Sequence, residues 1–354
     1  MKTGINRRSW LVGALGAVGA VPAVQAAVDD KVKAVRASGR TLRIYAITFR
    51  GMTEVEKGFE EYFASKKIPV QIIWRDLNRD ASRMPGFLDE IRATRPDLVY
   101  TWGTSVTLGV TGTFDAKDPA QFINDIPVVF TLVASPVLAK IVPDLKTTGR
   151  NVTGVTHMAP TEAQMRAIAA YRPFQSVGVL YTSTEKNSVV TLDELRRIGR
   201  ERGFTTIERS FRLDVSRKPM AEGASDLVRE LKDAGAQWLY LPPDSFLGTL
   251  AEGVIIPAAM EQGLPTFAST EQLMQAGALC GLVCRYYSIG QFTAHKAEQI
   301  LLGRQAPSQV PVETLKRFSY QVRMPAALKL KLPPPLSVLN YAELITTEAP
   351  PSGG

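Results

Sequence analysis

Polar residues follow several apolar segments of the sequence, at the points where predicted strands end. Thr104 and Ser105 come directly after the apolar segment Asp97–Gly103, and Asp244 follows the segment Trp238–Pro243. Hydroxyl groups and free backbone N–H groups at the start of a helix are suited to binding a carboxylate. A carboxylate such as that of Asp244 is suited to binding an ammonium group. The same positions are those of ordinary helix N-caps, so two interpretations of each residue stay open.

Further candidates lie at equivalent positions along the chain. An arginine after the first predicted strand can pair with an anionic group or lie in solvent, and Trp102 can form an aromatic wall for a ligand or lie in the core. His157 follows a predicted crossover strand. The candidate ligand-binding residues at strand ends are Thr48, Arg50, Trp102, Thr104, Ser105, His157, Asn187, Ser188, Asp244, Ser269 and Glu271.

The sequence contains no recognisable catalytic set. It lacks the patterns G-x-S-x-G and H-E-x-x-H and a phosphate-binding glycine loop, and its two histidines and two cysteines form no metal-ligand spacing. Cys280 and Cys284 lie in an apolar segment that predicts a strand to Tyr286, where residues four positions apart are separated by about 13 Å. A disulfide needs Cα atoms within about 7 Å, so both cysteines are expected to be reduced. We predict a protein that is not an enzyme and needs no cofactor or metal.

The first 26 residues have the pattern of a secretory signal peptide. Lys2, Arg7 and Arg8 form a basic region, the charge-free segment Trp10–Val24 follows it, and small residues end at Ala26. The two arginines also resemble a twin-arginine signal, so both export routes stay open. Removal of these three basic residues lowers the net charge from +8 to +5. The signal peptide predicts a periplasmic protein. The remaining bases are scattered, which predicts that the protein binds no nucleic acid.

Short apolar segments alternate with amphipathic ones along the rest of the chain. Thr41–Thr48 predicts a strand, Thr53–Lys67 a helix and Val70–Asp76 a second strand, and the pattern repeats to the end. Such alternation is typical of parallel sheets with helices on both faces, and about ten strands are more than one open sheet usually holds. We therefore predict an α/β fold of two doubly wound, Rossmann-like lobes with a ligand cleft between them. The long connection Val133–Val155 predicts a crossing between the lobes.

Several segments together resemble one known family. Ile126–Pro136 and Gly149–Val155 are similar to the pattern I-P-V-V-F-x-x-V-x-D-P followed by G-x-N-V-T-G-V, and further matches include Leu241–Asp244 and Pro265–Glu271. In this order they resemble the ABC transporter substrate-binding family that includes tryptophan/phenylalanine-binding proteins of the type I periplasmic fold. Ser135 stands where that family usually has Asp, which makes it a further candidate site residue.

The resemblance implies two lobes joined by a multi-strand hinge. The predicted limits are 41–153 plus 286–316 for the first lobe, 154–285 plus 317–345 for the second, and 346–354 for a flexible tail. It also implies a monomer that closes on a small polar ligand, such as an amino acid or a similar compound, and passes it to an ABC permease in the inner membrane. The alternative is a periplasmic sensor module that presents its closed form to a membrane receptor or kinase.

Overall fold

The computed structural model describes residues 37–347 together with Asp30, Lys33 and Ala34, so residues 1–26 and most of the predicted tail lie outside the described residues. Within the described part, strands form two sheets with helices on both faces. This arrangement confirms the predicted two-lobed α/β fold. No helix of these residues has both the length and the apolar content that a bilayer crossing requires.

The first sheet is parallel throughout its described strands. Along β1, Ile44 and Ala46 enter one core and Tyr45 and Ile47 enter the other, because side chains alternate between the two faces of a strand. The strands, in their order across the sheet, are β11 (Glu313–Thr314), β5 (Val152–Thr156), β4 (Val128–Thr131), β3 (Leu98–Trp102), β1 (Leu42–Thr48) and β2 (Val70–Asp76). Its helices are α1 (Glu54–Ser65), α2 (Met84–Thr94), α3 (Gly103–Thr111) and α10 (Tyr286–Leu301).

The second sheet is parallel except for one antiparallel pair, β10 with β12. Its order is β13 (Glu343–Ile345), β12 (Ser319–Arg323), β10 (Cys280–Val283), β9 (Thr266–Ala268), β8 (Trp238–Leu241), β6 (Ser176–Tyr181) and β7 (Thr205–Ser210). Its helices are α4 (Thr161–Tyr171), α5 (Lys186–Arg202), α6 (Ala224–Asp233), α7 (Ser245–Leu250), α8 (Ile256–Glu261), α9 (Glu271–Gln275), α11 (Met324–Lys329) and α12 (Leu336–Leu339). A π-turn, Ala251–Ile255, joins α7 to α8.

The chain passes between the lobes at three places, at residues 157–160, 284–285 and 315–318. The first crossing lies beside the end of β10, where Met158 pairs with Val283 in an antiparallel bridge. The crossing predicted within Val133–Val155 is wrong. Ile141 in that segment packs into the first lobe, and β5 then pairs with β4, so the chain first leaves this lobe after β5. The exact residue at which each lobe ends stays a prediction.

Helices α1 and α10 pack backbone against backbone. A Cβ atom on Gly290 would lie 1.9 Å from the carbonyl oxygen of Val55, and one on Gly58 would lie 2.2 Å from the carbonyl oxygen of Tyr287. Only glycine fits at such distances. The late helix therefore belongs to the body of the first lobe. The strand predicted to reach Tyr286 is wrong at its end, because β10 stops before the crossing and Tyr286 begins α10. Both cysteines are free and buried, Cys280 in β10 and Cys284 directly after it.

Candidate functional site

A cleft lies between the two lobes, at the carboxyl ends of strands from both sheets. Its cavity volume is about 50 Å³, below the roughly 300–1,000 Å³ of small-molecule sites, so the two lobes lie close together in this structure. The first lobe contributes residues at the ends of β1, β3, β4 and β5 and Tyr286 at the start of α10, and the second contributes residues that follow β6, β8 and β9. Seven residues predicted from the sequence line this cleft: Arg50, Trp102, Thr104, Ser105, His157, Asn187 and Asp244.

An aromatic and cationic stack forms the first-lobe wall of the cleft. The rings of Phe49 and Trp102 are nearly parallel, at 11°, with centroids 6.3 Å apart, and the guanidinium of Arg50 lies 5.0 Å from the Trp102 ring centroid. Arg50 also donates a hydrogen bond to the side-chain oxygen of Gln272 in the second lobe. Burial lowers the pKa of Arg50 below its ordinary value. The wall therefore combines a flat surface with a positive charge.

The N-terminus of α3 lies beside this wall. Gly103, Thr104 and Ser105 form its first turn, and the N-cap residue Trp102 supplies no side-chain hydrogen bond to it. The first backbone N–H groups of a helix lack intrahelical partners and carry partial positive charge. Trp102 is 8% exposed, and its Nε1 has no hydrogen-bond partner among the described residues. Several donors thus line one side of the cleft.

His157 and Tyr286 lie together where the chain crosses between lobes. Their rings meet edge to face, with centroids 6.4 Å apart and an interplanar angle of 78°. Burial lowers the pKa of His157 to about 3, so the imidazole is neutral at physiological pH. Its Nδ1 is buried and makes no hydrogen bond to any described residue. His157 adds a polar atom to the cleft but no charge.

Asp244 is the N-cap of α7 and holds together three segments of the second lobe. Its carboxylate accepts hydrogen bonds from the Thr182 backbone N–H at 2.7 Å, the Thr182 hydroxyl at 3.0 Å, the Ser188 hydroxyl at 2.5 Å and the Leu247 backbone N–H at 2.8 Å. The side chain is 5% exposed, and burial raises the pKa of Asp244 against the effect of these bonds. Of the two interpretations that the sequence left open, the structure shows the cap.

A second carboxylate reaches the same helix terminus from below the cleft lining. Glu185 accepts hydrogen bonds from the backbone N–H groups of Ser245, at 2.9 Å, and Phe246, at 3.1 Å. Burial, and then the negative charge of Asp244, raise the pKa of Glu185 to about 7. Asn187, which does line the cleft, donates to the backbone oxygen of Pro243. Two carboxylates therefore already accept hydrogen bonds from the backbone N–H groups at the start of α7.

The other predicted residues lie behind the cleft lining. Thr48 is buried and bonds the carboxylate of Asp76 at 2.9 Å, and Ser188 bonds Asp244 as described. Ser269 is fully buried at the end of β9. Glu271 accepts a hydrogen bond of 2.5 Å from the Tyr286 backbone N–H. Ser135 lies outside the lining, where its backbone oxygen accepts a hydrogen bond from Ala139, although its neighbour Ala134 does line the cleft.

Several lining residues were absent from the predicted set. Phe49 and Thr270 each adjoin a residue that was predicted from a strand end, and Tyr286 is the first residue of the predicted lobe segment 286–316. Extending the prediction by one residue at these positions would have included all three. Gln272 has no such signal, because its place depends on contact with Arg50, 222 positions away in the chain. The remaining ones are Gly103, Val106, Leu132, Ala134, Pro243, Ser245 and Leu273. Among the described residues, no group of three or more His, Cys, Asp or Glu side chains could hold a metal ion.

Comparison with known proteins supplies the family. The model of the ABC transporter substrate-binding protein family matches residues 51–345, which is most of the chain. The chain belongs to this family. The family is one of solute-binding proteins and not of enzymes, in agreement with the missing catalytic set. Within it, the strand-end cleft described above occupies the place where an open α/β sheet binds its ligand.

Similar proteins come from several bacteria. A tyrosine-binding protein of Clostridioides difficile strain R20291 is 22% identical over 269 residues, which are 75% of this chain and 72% of that protein. An ABC domain from Streptococcus pneumonia, solved in complex with L-Trp, has a TM-score of 0.72 at 22% identity and covers 86% of this chain and 100% of its own. A conserved domain protein from Vibrio cholerae O1 biovar El Tor gives 0.75 at 22% identity, with coverages of 86% and 99%. At these identities the structures show a shared fold.

Proposed function

We propose that this protein is the exported binding component of an ABC importer and that its cleft binds a small, amino-acid-like solute with a carboxylate group. The observation that carries the proposal is the first turn of α3, whose uncapped N–H groups lie beside the hydroxyls of Thr104 and Ser105 in the cleft. A carboxylate placed there accepts several hydrogen bonds and meets the positive end of the helix.

The neighbouring wall suits the rest of such a solute. The parallel rings of Phe49 and Trp102 offer a flat apolar surface, and an aromatic side chain stacked on it gains contact area beyond simple burial. Two relatives are consistent with this assignment by name or by bound ligand, since one is a tyrosine-binding protein and the other was solved with L-Trp. We therefore place aromatic, carboxylate-bearing compounds first among candidate ligands.

Hinge closure is the proposed mechanism of binding. Arg50 of the first lobe bonds Gln272 of the second, and the Lys186 ammonium lies 3.4 Å from the backbone oxygen of Ala139 across the cleft. A ligand that touches both lobes favours the closed form by the difference between its affinities for the closed and open forms. The closed form is then the one that an ABC permease in the inner membrane recognises. Periplasmic location and a monomeric state belong to the same proposal.

A binding screen with one matched pair of variants tests this function. Protein stripped of bound solutes by unfolding and refolding is screened by thermal shift against amino acids and related carboxylates, and a bound ligand raises the melting temperature. Ser105→Ala is expected to weaken the affinity of the best ligand about fivefold, which is the effect of one hydrogen bond of about 1 kcal/mol. Ser225→Ala, at an exposed position in the first turn of α6, is the control and leaves affinity unchanged. The absence of any binding carboxylate would contradict the proposal.

A further inference from the structure

The positive group of the cleft has free hydrogen-bonding capacity for a ligand, whereas the negative group has none. Of the residues that line the cleft, Arg50 is the cation and Asp244 is the carboxylic acid, because His157 is held neutral by burial. A zwitterionic amino acid brings one negative and one positive group into such a site. Each buried charge of the ligand needs an opposite charge or a full set of hydrogen bonds to offset its lost hydration. The state of Arg50 and of Asp244 therefore decides which groups the cleft can hold.

Arg50 has capacity left for an anion. Its guanidinium carries five N–H donors, and its hydrogen bond to a side chain is the one to the Gln272 oxygen. No carboxylate of the described residues forms an ion pair with it, although burial already lowers its pKa. A partly buried guanidinium in this situation gains from an incoming carboxylate, which Arg binds through paired hydrogen bonds.

Asp244 has no such capacity for a cation. An ionised carboxylate offers about four acceptor sites, and Asp244 already accepts four hydrogen bonds from Thr182, Ser188 and Leu247. These donors come from the protein itself, so a ligand ammonium would have to displace one of them. Glu185, the second carboxylate at the start of α7, is engaged by two backbone N–H groups and does not line the cleft.

Two further observations point to a ligand that accepts hydrogen bonds. The Nε1 of Trp102 is a donor only, it is buried in the cleft lining, and no described residue accepts its proton. The first turn of α3 adds backbone donors without a side-chain cap. Together with Arg50, these groups present donors and positive charge from one lobe, and the second lobe presents no free carboxylate opposite them.

We propose that the cleft selects aromatic carboxylates that lack a charged α-ammonium group, such as arylpropanoic acids or aromatic 2-oxo acids, over the corresponding amino acids. This inference rests on the proposed function, because it specifies the ligand of the same cleft. The carboxylate lies between Arg50 and the first turn of α3, and the ring lies on the Phe49 and Trp102 wall. It follows that an α-ammonium group lowers affinity, because it loses its hydration without gaining a counter-charge.

Matched ligand pairs test this selection. L-Phenylalanine, L-tyrosine and L-tryptophan are each compared by isothermal titration with the propanoic acid that has the same ring and carbon chain but no amino group. We expect at least one propanoate to bind about tenfold more tightly than its amino acid, since hydrogen bonds to charged groups are worth about 1.5–3 kcal/mol. The corresponding amines, which have no carboxylate, should not bind.

The outcomes separate the two proposals. If each amino acid binds as tightly as its propanoate or more tightly, the selection is overturned and the amino-acid-binding function stands. If neither series binds but another carboxylate does in the thermal-shift screen, the selection is overturned and the proposed function stands. If no carboxylate binds in either experiment, both proposals fall.

Variants at the two charged positions give a second test. Arg50→Gln is expected to weaken propanoate affinity about tenfold or more, and the exposed Arg172→Gln is the matched control with unchanged affinity. Asp244→Asn removes the negative charge, and any change in the shape of the cleft should alter the affinities for propanoate and amino acid by the same factor. A tenfold loss of amino-acid affinity in Asp244→Asn, with propanoate affinity unchanged, would identify Asp244 as the counter-charge of a ligand ammonium and overturn the proposal.

Discussion

Replacing Asp244 with asparagine should destabilise the second lobe. The asparagine oxygen can keep two of the four accepted hydrogen bonds, but its NH₂ group then faces two donors. The Ser188 hydroxyl can turn and accept, whereas the Thr182 backbone N–H cannot. One buried N–H group is thereby left without a partner, at a cost of about 1–3 kcal/mol. Loss of the negative charge beside Glu185 offsets part of this, so the expected decrease in the free energy of unfolding is about 2 kcal/mol.

Urea unfolding and hydrogen exchange measure this effect. In a protein of this size about 2 kcal/mol corresponds to roughly 3 °C in melting temperature, and the amide protons of Thr182 and Leu247 should exchange faster. Asp80→Asn is the control, because Asp80 caps a short helix at an exposed position and bonds only Ser82. Unchanged stability and exchange in Asp244→Asn, together with lost ligand affinity, would refute the structural role assigned to this carboxylate.

Three further predictions concern pH, the indole donor and helix packing. The pKa of Glu185 is raised to about 7 from 4.5, so the folded protein binds its proton more tightly than the unfolded chain does. The resulting contribution to stability is present below about pH 4.5 and is lost as pH rises through 7. Glu185→Gln should therefore flatten the dependence of melting temperature on pH in this window. Trp102→Phe should weaken ligand affinity about fivefold by titration, whereas Trp238→Phe, whose equally buried Nε1 lies in the core, should leave it unchanged. Gly290→Ala should lower the free energy of unfolding by about 3 kcal/mol in urea, and Gly86→Ala, which meets open space, should not lower it.

The fold was predictable from the sequence because its signals are local. Each βα unit has its own apolar strand and amphipathic helix, and the rule that ligands bind at strand ends identifies Trp102 and Asp244 without any long-range information. The end of β10 was not predictable in this way. Tyr286 and Tyr287 favour a strand by intrinsic preference, but packing of Gly290 against α1 places them in a helix.

The chemistry of the site was less predictable than its position. A sequence shows that Asp244 follows a strand, but it does not show that Thr182 and Ser188, about sixty positions earlier, use up its acceptor sites. The pairing of Arg50 with Gln272 depends on the closure of two lobes in the same way. Such contacts arise from tertiary geometry, and they decide which ligand groups the cleft can hold.

The three passages of the chain between the lobes have a consequence for the order of folding. The first lobe contains residues from both ends of the described chain, since α10 and β11 are made only after nearly all of the second lobe. The second lobe likewise needs β12 and β13 from the last part of the chain. Neither lobe can bury its core as the chain grows from its N-terminus, and contacts so distant in sequence form slowly. The protein is therefore expected to stay unfolded until its synthesis is nearly complete, and a truncation at either of the first two crossings removes parts of both lobes.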